Sequence, residues 1–437
     1  MVATFNNHIR VVSDGKVYVR NDRDSAIAAF LQSLPPISAC DKNNVRLFKV
    51  PENYPNLKEF DNDNAFPDVQ TADPNFIWDS ANQVSGEKLG FATGFEQEVV
   101  ENNIVDFVVF LQAFADNAHN ALISIYDRAT LQKLFDVTPL LQDGDMDPST
   151  GLSETQPPFG WQTVRYYSNT FTLRQTQGQT NLFLIVLSFE VQNYVHPNNP
   201  PFNPAALAFV ADFYHQTRFG DNPAFTAAIS LVSDENVVVR ENRNQAIDEV
   251  VTALLSANPL PSNAVNLTSV PSNYPLQKNY LNNDSFSSEP NFIWDSSTQT
   301  SGDRKIFVTG FLWTPVAASD LVIFLQAFSD NAFNLRISVF DADKKFLGTV
   351  TPSSDLTDGD PNPMTGVISD VQPPYGWQNI RYYANNFLPH LTGLDSVLPL
   401  VVVLSFEVTN YVVPTASATN PAALSFVAHF YHMLAHP

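Results

Sequence analysis

One cysteine in 437 residues excludes an internal disulfide framework. That residue, Cys40, has no cysteine counterpart in the second half of the chain and reads as a buried bystander. Long apolar runs are also missing. The longest, around Leu182–Leu187, is the length of a strand and not of a membrane-crossing helix. The N-terminus, MVATFNNHIRVVSD, has neither the basic start nor the apolar core of a secretory signal. The expectation is cytoplasmic synthesis, with residence in a particle, inclusion or coat, or release without a signal peptide.

Charge is scarce. Only 16% of residues are charged, and 45 acids against 23 bases leave a net charge of −22. Nucleic acid and anionic membrane are therefore poor partners. The surface must be built largely of Asn, Gln, Ser, Thr and Pro, which suits carbohydrate contact or extensive protein–protein contact. Enzyme signatures are absent as well: there is no nucleophile elbow, P-loop, dinucleotide fingerprint or HExxH. A carboxylate pair such as Glu190 with Asp116 is the one arrangement that could serve glycoside hydrolysis. Nothing in the sequence places those two together, and the chain reads as non-enzymatic.

What is present is a sequence written twice. PNFIWDS at 74–80 returns at 290–296, and FLQAFADNA at 110–118 returns as FLQAFSDNA at 324–332. QPPFGWQ at 156–162, LSFEVQNYV at 187–195 and NPAALAFVADFYH at 203–215 return at 372–378, 404–412 and 420–432. The offset holds within blocks and drifts between them, as expected for packed segments joined by tolerant loops. The repeat is far too long for a solenoid. Hydrophobic residues at 44%, with 34 Phe, supply two cores, so each copy is a domain-sized unit: residues 1–219 and 220–437.

Each copy opens with strand, tight turn, strand (HIRVVSDGKVYVRND and AISLVSDENVVVREN). A helix follows, with Ile27, Phe30, Leu31 and Leu34, or Ile247, Val250, Val251 and Leu254, on one face. Pro35 and Pro259 stop the helices. An Asn/Asp/Pro-rich stretch, 49–75 and 270–291, with NYP in both copies, should wrap the surface as extended chain. The remainder reads as strands. IVDFVVFLQAF is apolar on both faces, like a strand covered on both sides. LIVLSFEV alternates, with Leu187, Phe189 and Val191 on one face. The fold class is all-β dominated: a tandem duplication of two jelly-roll-like β-sandwich units, each preceded by a small ββα module.

Three constellations are candidates for chemistry. The acidic loop places Asp143, Asp145, Asp147 and Glu154 at positions 1, 3, 5 and 12, the ligand spacing of an EF-hand calcium loop. The second copy has Asp358, Asp360 and Asn362, with the last acid displaced to Asp370. Pro148 and Pro363 stand where that loop needs glycine, and no helix flanks either loop, so only the ligand spacing is matched; the alternative is a polar surface turn. The pairs Asp116-Asn117 and Asp330-Asn331 end the most apolar strand of each copy and are either ligand-binding residues or Asx-turns. Aromatics retained in both copies (Trp161 and Trp377, Trp78 and Trp294, and the Tyr-Tyr of RYY) are either sugar-stacking platforms or core. The adjacent Arg165 and Arg381 should pair with a retained acid among Asp79/Asp295, Asp106/Asp320 and Glu190/Glu407. The tail offers His429, His432 and His436, read as exposed imidazoles of a terminal strand in preference to a zinc site.

Two functions fit. The first is a non-enzymatic structural or self-assembling protein of coat, lattice, shell or inclusion type, whose partner is itself. The second is a lectin-like protein, calcium-dependent if the acidic loops bind metal, with one site per unit for a carbohydrate or glycan-bearing surface.

Overall fold

The computed structural model describes residues 7–34, 41–55, 57, 74–100, 102–146, 164–175, 181–195, 202–219, 225–275, 289–313, 321–349, 356–359, 380–387, 399–411 and 420–433. The first half contributes β1 (Asn7–Val12), β2 (Tyr18–Arg20), α1 (Arg23–Gln32), β3 (Val45–Arg46), β4 (Ile77–Trp78) and β5 (Lys88–Glu98). It continues with β6 (Asn103–Asp116), β7 (Ala118–Asp127), β8 (Lys133–Asp143), β9 (Arg165–Arg174), β10 (Leu182–Gln192) and β11 (Ala206–Phe219). One sheet has the order β3-β4-β11-β6-β9, with β1 added on β11; the other runs β2-β5-β10-β7-β8. From β5 onward the chain steps between the sheets at every connection but the β7–β8 hairpin, and every pairing is antiparallel, the connectivity of a jelly roll.

The second half repeats this plan. Its elements are β12 (Phe225–Val232), β13 (Val238–Arg240), α2 (Arg243–Leu255), β14 (Val265–Asn266), β15 (Ile293–Trp294), β16 (Arg304–Trp313) and β17 (Leu321–Asp330). They continue with β18 (Ala332–Phe340), β19 (Phe346–Thr349), β20 (Leu356–Asp358), β21 (Arg381–Phe387), β22 (Leu400–Thr409) and β23 (Ala423–Met433). The sheets are β14-β15-β23-β17-β21, with β12 on β23, and β13-β16-β22-β18-β19, with β20 on β18. Among the described residues, no strand of the first half pairs with a strand of the second.

Local chemistry sets these elements. The Asp14 and Asp234 carboxylates accept from the backbone N–H two residues on, at 2.7 and 2.8 Å, and close the two leading turns. Asp22 caps α1 by accepting from Ser25 N, and Asn242 caps α2 by accepting from Gln245 N. α1 lays Ala26, Ile27, Ala29 and Phe30 on the sheet that contains β5, and α2 lays Ala246, Ile247, Val250 and Val251 on the sheet that contains β16. That sheet is therefore the outer one of each sandwich. On β10, Leu187, Phe189 and Val191 enter the sandwich core while Leu184 and Val186 lie under α1, which is the period-two alternation of a strand.

The inner sheets explain why IVDFVVFLQAF is apolar on both faces. On β6, Val105, Phe107, Val109 and Leu111 face the first sandwich core. Val108, Phe110 and Phe114 face the other way, into a cluster shared with Val322, Phe324 and Phe328 of β17. The two inner sheets thus pack on each other, and the layers run helix, outer sheet, inner sheet, inner sheet, outer sheet, helix. Equivalent residues meet: Phe110 stacks on Phe324 with ring centroids 4.8 Å apart, and Tyr166 on Tyr382 at 5.7 Å. The Tyr166 hydroxyl donates to the Ile380 carbonyl at 2.6 Å, and Ser168 Oγ lies 3.1 Å from the Tyr431 hydroxyl.

The first half brings a charged cluster to this interface. His8 and Arg10 on β1 hold the buried Asp212 carboxylate at 2.8 and 2.9 Å. Burial opposes the Asp212 charge, but these two partners more than offset it and its pKa is lowered. In β12, Ala228 and Ser230 occupy the corresponding register positions, and His429 faces Ser230. His429 is buried beside Phe324, with ring centroids 5.9 Å apart. The expected exposed imidazole is therefore corrected for His429, because β23 is the central strand of a sheet covered on both faces.

Phe110 is fully buried at this interface, and Phe110→Ala should lower the unfolding free energy by about 3–5 kcal/mol. Urea denaturation followed by tryptophan fluorescence measures this. A loss under about 1 kcal/mol would mean that the two inner sheets do not depend on each other.

Candidate functional site

The four connections at one end of each sandwich are tied into a single hydrogen-bonded base. In the first unit, Asn117 between β6 and β7 donates its backbone N–H to the Gln192 carbonyl at 3.0 Å. Its side-chain oxygen accepts from Tyr194 N at 2.7 Å. Asn193 donates to the carbonyls of Val84 and Asn203, and Asn203 donates back to the Asn193 side chain and the Tyr194 carbonyl. The Tyr194 hydroxyl accepts from Asp145 N at 2.8 Å. Asn331, Asn410, Tyr411 and Asn420 make the corresponding bonds in the second unit. This base brings together the β4–β5, β6–β7, β8–β9 and β10–β11 connections.

Asp116 and Asp330 sit beneath it, each buried and each the last residue of a fully buried strand. The Tyr54 hydroxyl donates to Asp116 Oδ2 and the Tyr274 hydroxyl to Asp330 Oδ2, both at 2.6 Å. The Asp116–Asn117 and Asp330–Asn331 peptide bonds are cis. Burial raises both carboxyls to about 7, against the opposing effect of the tyrosine hydrogen bond. Most of the chain expected to wrap the surface, 56, 58–73 and 276–288, lies outside the described residues, but the NYP tyrosines Tyr54 and Tyr274 are buried. Each plugs the corner where the chain passes from the inner to the outer sheet. Asp116, Asn117, Asp330 and Asn331 are spent on protein contacts.

The acidic loops begin in the same base. Arg165 lies 2.5 Å from Asp143 Oδ1, and Arg381 holds Asp358 Oδ1 through Nε at 2.8 Å and its terminal nitrogen at 2.7 Å. The arginine partners are thus the first acids of the loops and not the Asp79, Asp106 or Glu190 pairs. Asp106 instead accepts from Thr172, and Glu190 pairs with Lys88. Gly144 and Gly359 have φ of +75° and +73°, and a Cβ there would fall 2.7 or 2.8 Å from the Cβ of Ala118 or Ala332. The first two residues of the Asp-Gly-Asp sequence thus have the same structural role in both units, an ion pair and a left-handed close approach, and in the first unit Asp145 adds its backbone bond to Tyr194. Asp147, Glu154, Asp360, Asn362, Asp370, Trp161 and Trp377 lie outside the described residues. Among the described residues, no three metal-ligating side chains cluster.

Other retained aromatics are core. Trp78 and Trp294 are fully buried, and Tyr166, Tyr167, Tyr382 and Tyr383 are buried in the interface or the sandwich. His119, where the second copy has Phe333, is buried with Nε2 2.9 Å from the Tyr167 hydroxyl and Nδ1 without a partner. Burial lowers its pKa to about 4. Glu190 and Asp116 belong to different sheets and have different partners. Tyr54, Tyr194, Asn193 and Asn203 were the residues missed. Their signal was retention in both copies.

No protein-family model matches the chain, and no curated protein matches it. Solved structures with a similar arrangement include TmCBM61 in complex with beta-1,4-galactotriose, 10% identical over 48% of this chain and 88% of that one, with a TM-score of 0.20. The tandem CBM22-1-CBM22-2 domain of Paenibacillus barcinonensis Xyn10C is 9% identical over 80% of this chain and 87% of that one, TM-score 0.22. A peptide-N(4)-(N-acetyl-beta-D-glucosaminyl) asparagine amidase is 7% identical over 90% and 96%, TM-score 0.21. At these scores no site is carried across, and the likeness goes no further than β-sandwich architecture.

The buried carboxyls set a pH dependence. Folded Asp116 and Asp330 keep their protons up to about pH 7, whereas the unfolded chain releases them near its ordinary value of 3.8. Their contribution to stability is full below about pH 4 and is lost as pH rises to about 7. Buried His119, His215 and His429, all lowered to about 4, act oppositely and lose stability as pH falls below the ordinary 6.5. The Asp116→Asn, Asp330→Asn double variant should therefore lose the decline toward neutral pH and keep the acid-side decline. Denaturation midpoints across this range test it; an unchanged profile would show that the two carboxyls are already ionised in the fold.

Proposed function

We propose that this chain is a non-enzymatic structural protein that associates with copies of itself, and that its building block is the pair of units, 1–219 and 220–437, acting as one body. One observation carries the reading. At the loop end of the first unit, Val84, Val195 and Phe202 are about half exposed, at 55%, 51% and 49%. They stand together on the rigid base: Gly86 approaches Val195, Asn203 N donates to the Gln83 carbonyl, and Asn193 donates to the Val84 carbonyl. An apolar patch on a stiff support, in a surface with few charges, favours protein contact at low desolvation cost. The patch is not duplicated, since Thr300 replaces Val84 in the second unit. A patch present once per chain gives either a closed pair or, if it docks on a different surface, an array.

The net charge of −22 opposes association. Salt should screen it, and calcium should bridge acids of neighbouring molecules, so association should strengthen with both. Light scattering over salt and calcium series tests this, with a Val195→Glu, Phe202→Glu variant expected to remain monomeric throughout. A wild-type protein that is monomeric at every salt and calcium concentration sinks the assembly reading. It would promote the carbohydrate-binding alternative, which one feature of the second unit favours independently.

A further inference from the structure

We propose that the groove between α2 and the β18–β19 hairpin of the second unit binds a neutral sugar ring. The groove has a volume of about 390 Å³. Ile247 and Val251 of the helix and Phe340 of β18 form its apolar lining. Phe346 stands at its edge, 54% exposed, with its ring 5.7 Å from that of Phe340 and tilted by 60°. Arg336 and Asp248 line it from opposite elements, and Lys344 closes the rim by donating to Thr252 Oγ1 at 2.6 Å. An exposed aromatic face beside an apolar floor accepts the C–H face of a pyranose. Donors and acceptors are mixed around it. A hydrocarbon ligand would lie against the charged Asp248 and Lys344, whose Nζ is 3.9 Å from Asp248 Oδ1, and an anion would meet the Asp248 carboxylate. A ring bearing hydroxyls can donate to Asp248 and accept from Arg336 at once.

The first unit supplies the internal control, because the same place there is closed. Strand register puts Leu122 where Arg336 stands, Tyr126 where Phe340 stands, and Lys133 where Phe346 stands. Ala28 occupies the helix position of Asp248, six residues after the N-cap. Leu131, at φ +56°, takes the hairpin position of Lys344, at φ +64°, and packs onto the cluster under α1. Lys133 pairs with Asp136 at 3.0 Å, and Ser124 donates to Asp136 at 2.6 Å. Two units that retain the same corners and the same interface thus differ at every one of these positions. The differences remove a plug, replace the Lys133–Asp136 pair by a Lys344–Asp248 pair at 3.9 Å across the groove, and add an exposed aromatic ring.

A glycan array probed with the full-length protein finds the sugar, and calorimetry with the matching soluble oligosaccharide gives its affinity. Phe346→Ala, at a half-exposed position, should weaken binding about tenfold. Lys344→Leu, which installs the residue of the first unit, should also weaken it, and Phe135→Ala on the first unit should change nothing. No retained glycan, or an affinity unmoved by both Phe346→Ala and Lys344→Leu, overturns the proposal, as does binding of benzoate in the groove without any sugar. The proposal does not rest on self-association: a monomer that binds sugar through Phe346 leaves it standing.

Discussion

The face-to-face packing of the two inner sheets governs the rest of this protein. A sheet buried on both faces cannot use polar alternation, so β6 and β17 are buried along their whole length and mostly apolar. Water is kept from both sides, and any polar group in these strands needs a partner within the protein. That requirement accounts for the Asp212 cluster with His8 and Arg10, for the tyrosine donated to Asp116 and Asp330, and for the depressed histidines. It also moves the exposed surfaces outward, to the loop ends and the helix-bearing outer sheets.

The loop ends show how a conserved-looking polar motif can be architectural. Each jelly roll must turn the chain between sheets several times, and each turn leaves backbone groups without ladder partners. Asparagine side chains, which both donate and accept, replace those partners at Asn117, Asn193 and Asn203 and at their second-unit equivalents. Arginine and glycine finish the corner at Asp143 and Gly144. Residues used in this way are unavailable for substrate.

Much of the fold was legible in the sequence. Alternation on LIVLSFEV, the two-sided apolar run of β6, the Asx turns and the capped helices are short-range signals, and each specifies a local geometry directly. The burial of β6 on both faces even implied a covering layer; its identity as the other unit was not readable, because nothing in one strand names its neighbour. The site was read less well. Asp143, Asp116 and Trp78 looked like ligands or platforms because the residue types suit both chemistry and packing. Only the positions of Arg165, Tyr54 and Phe91 decide between the two. The groove beside α2 escaped notice for the opposite reason. Retention in both copies marks shared roles, and Arg336, Lys344 and Phe346 are residues that differ between the copies.

The stacking of Phe110 on Phe324 and of Tyr166 on Tyr382 joins like to like across an approximate two-fold. Such an isologous contact is the geometry of a homodimer. A single gene copy could have formed it only by collision between two chains, at a strength set by their concentration. Fusion into one polypeptide replaces that concentration by the far higher one a tether imposes, so the pairing became independent of expression level. It also freed the halves from identity. Once the partner is always the other copy, one face can keep the Asp212 cluster and the other can do without it, and one outer sheet can fill a groove that the other leaves open.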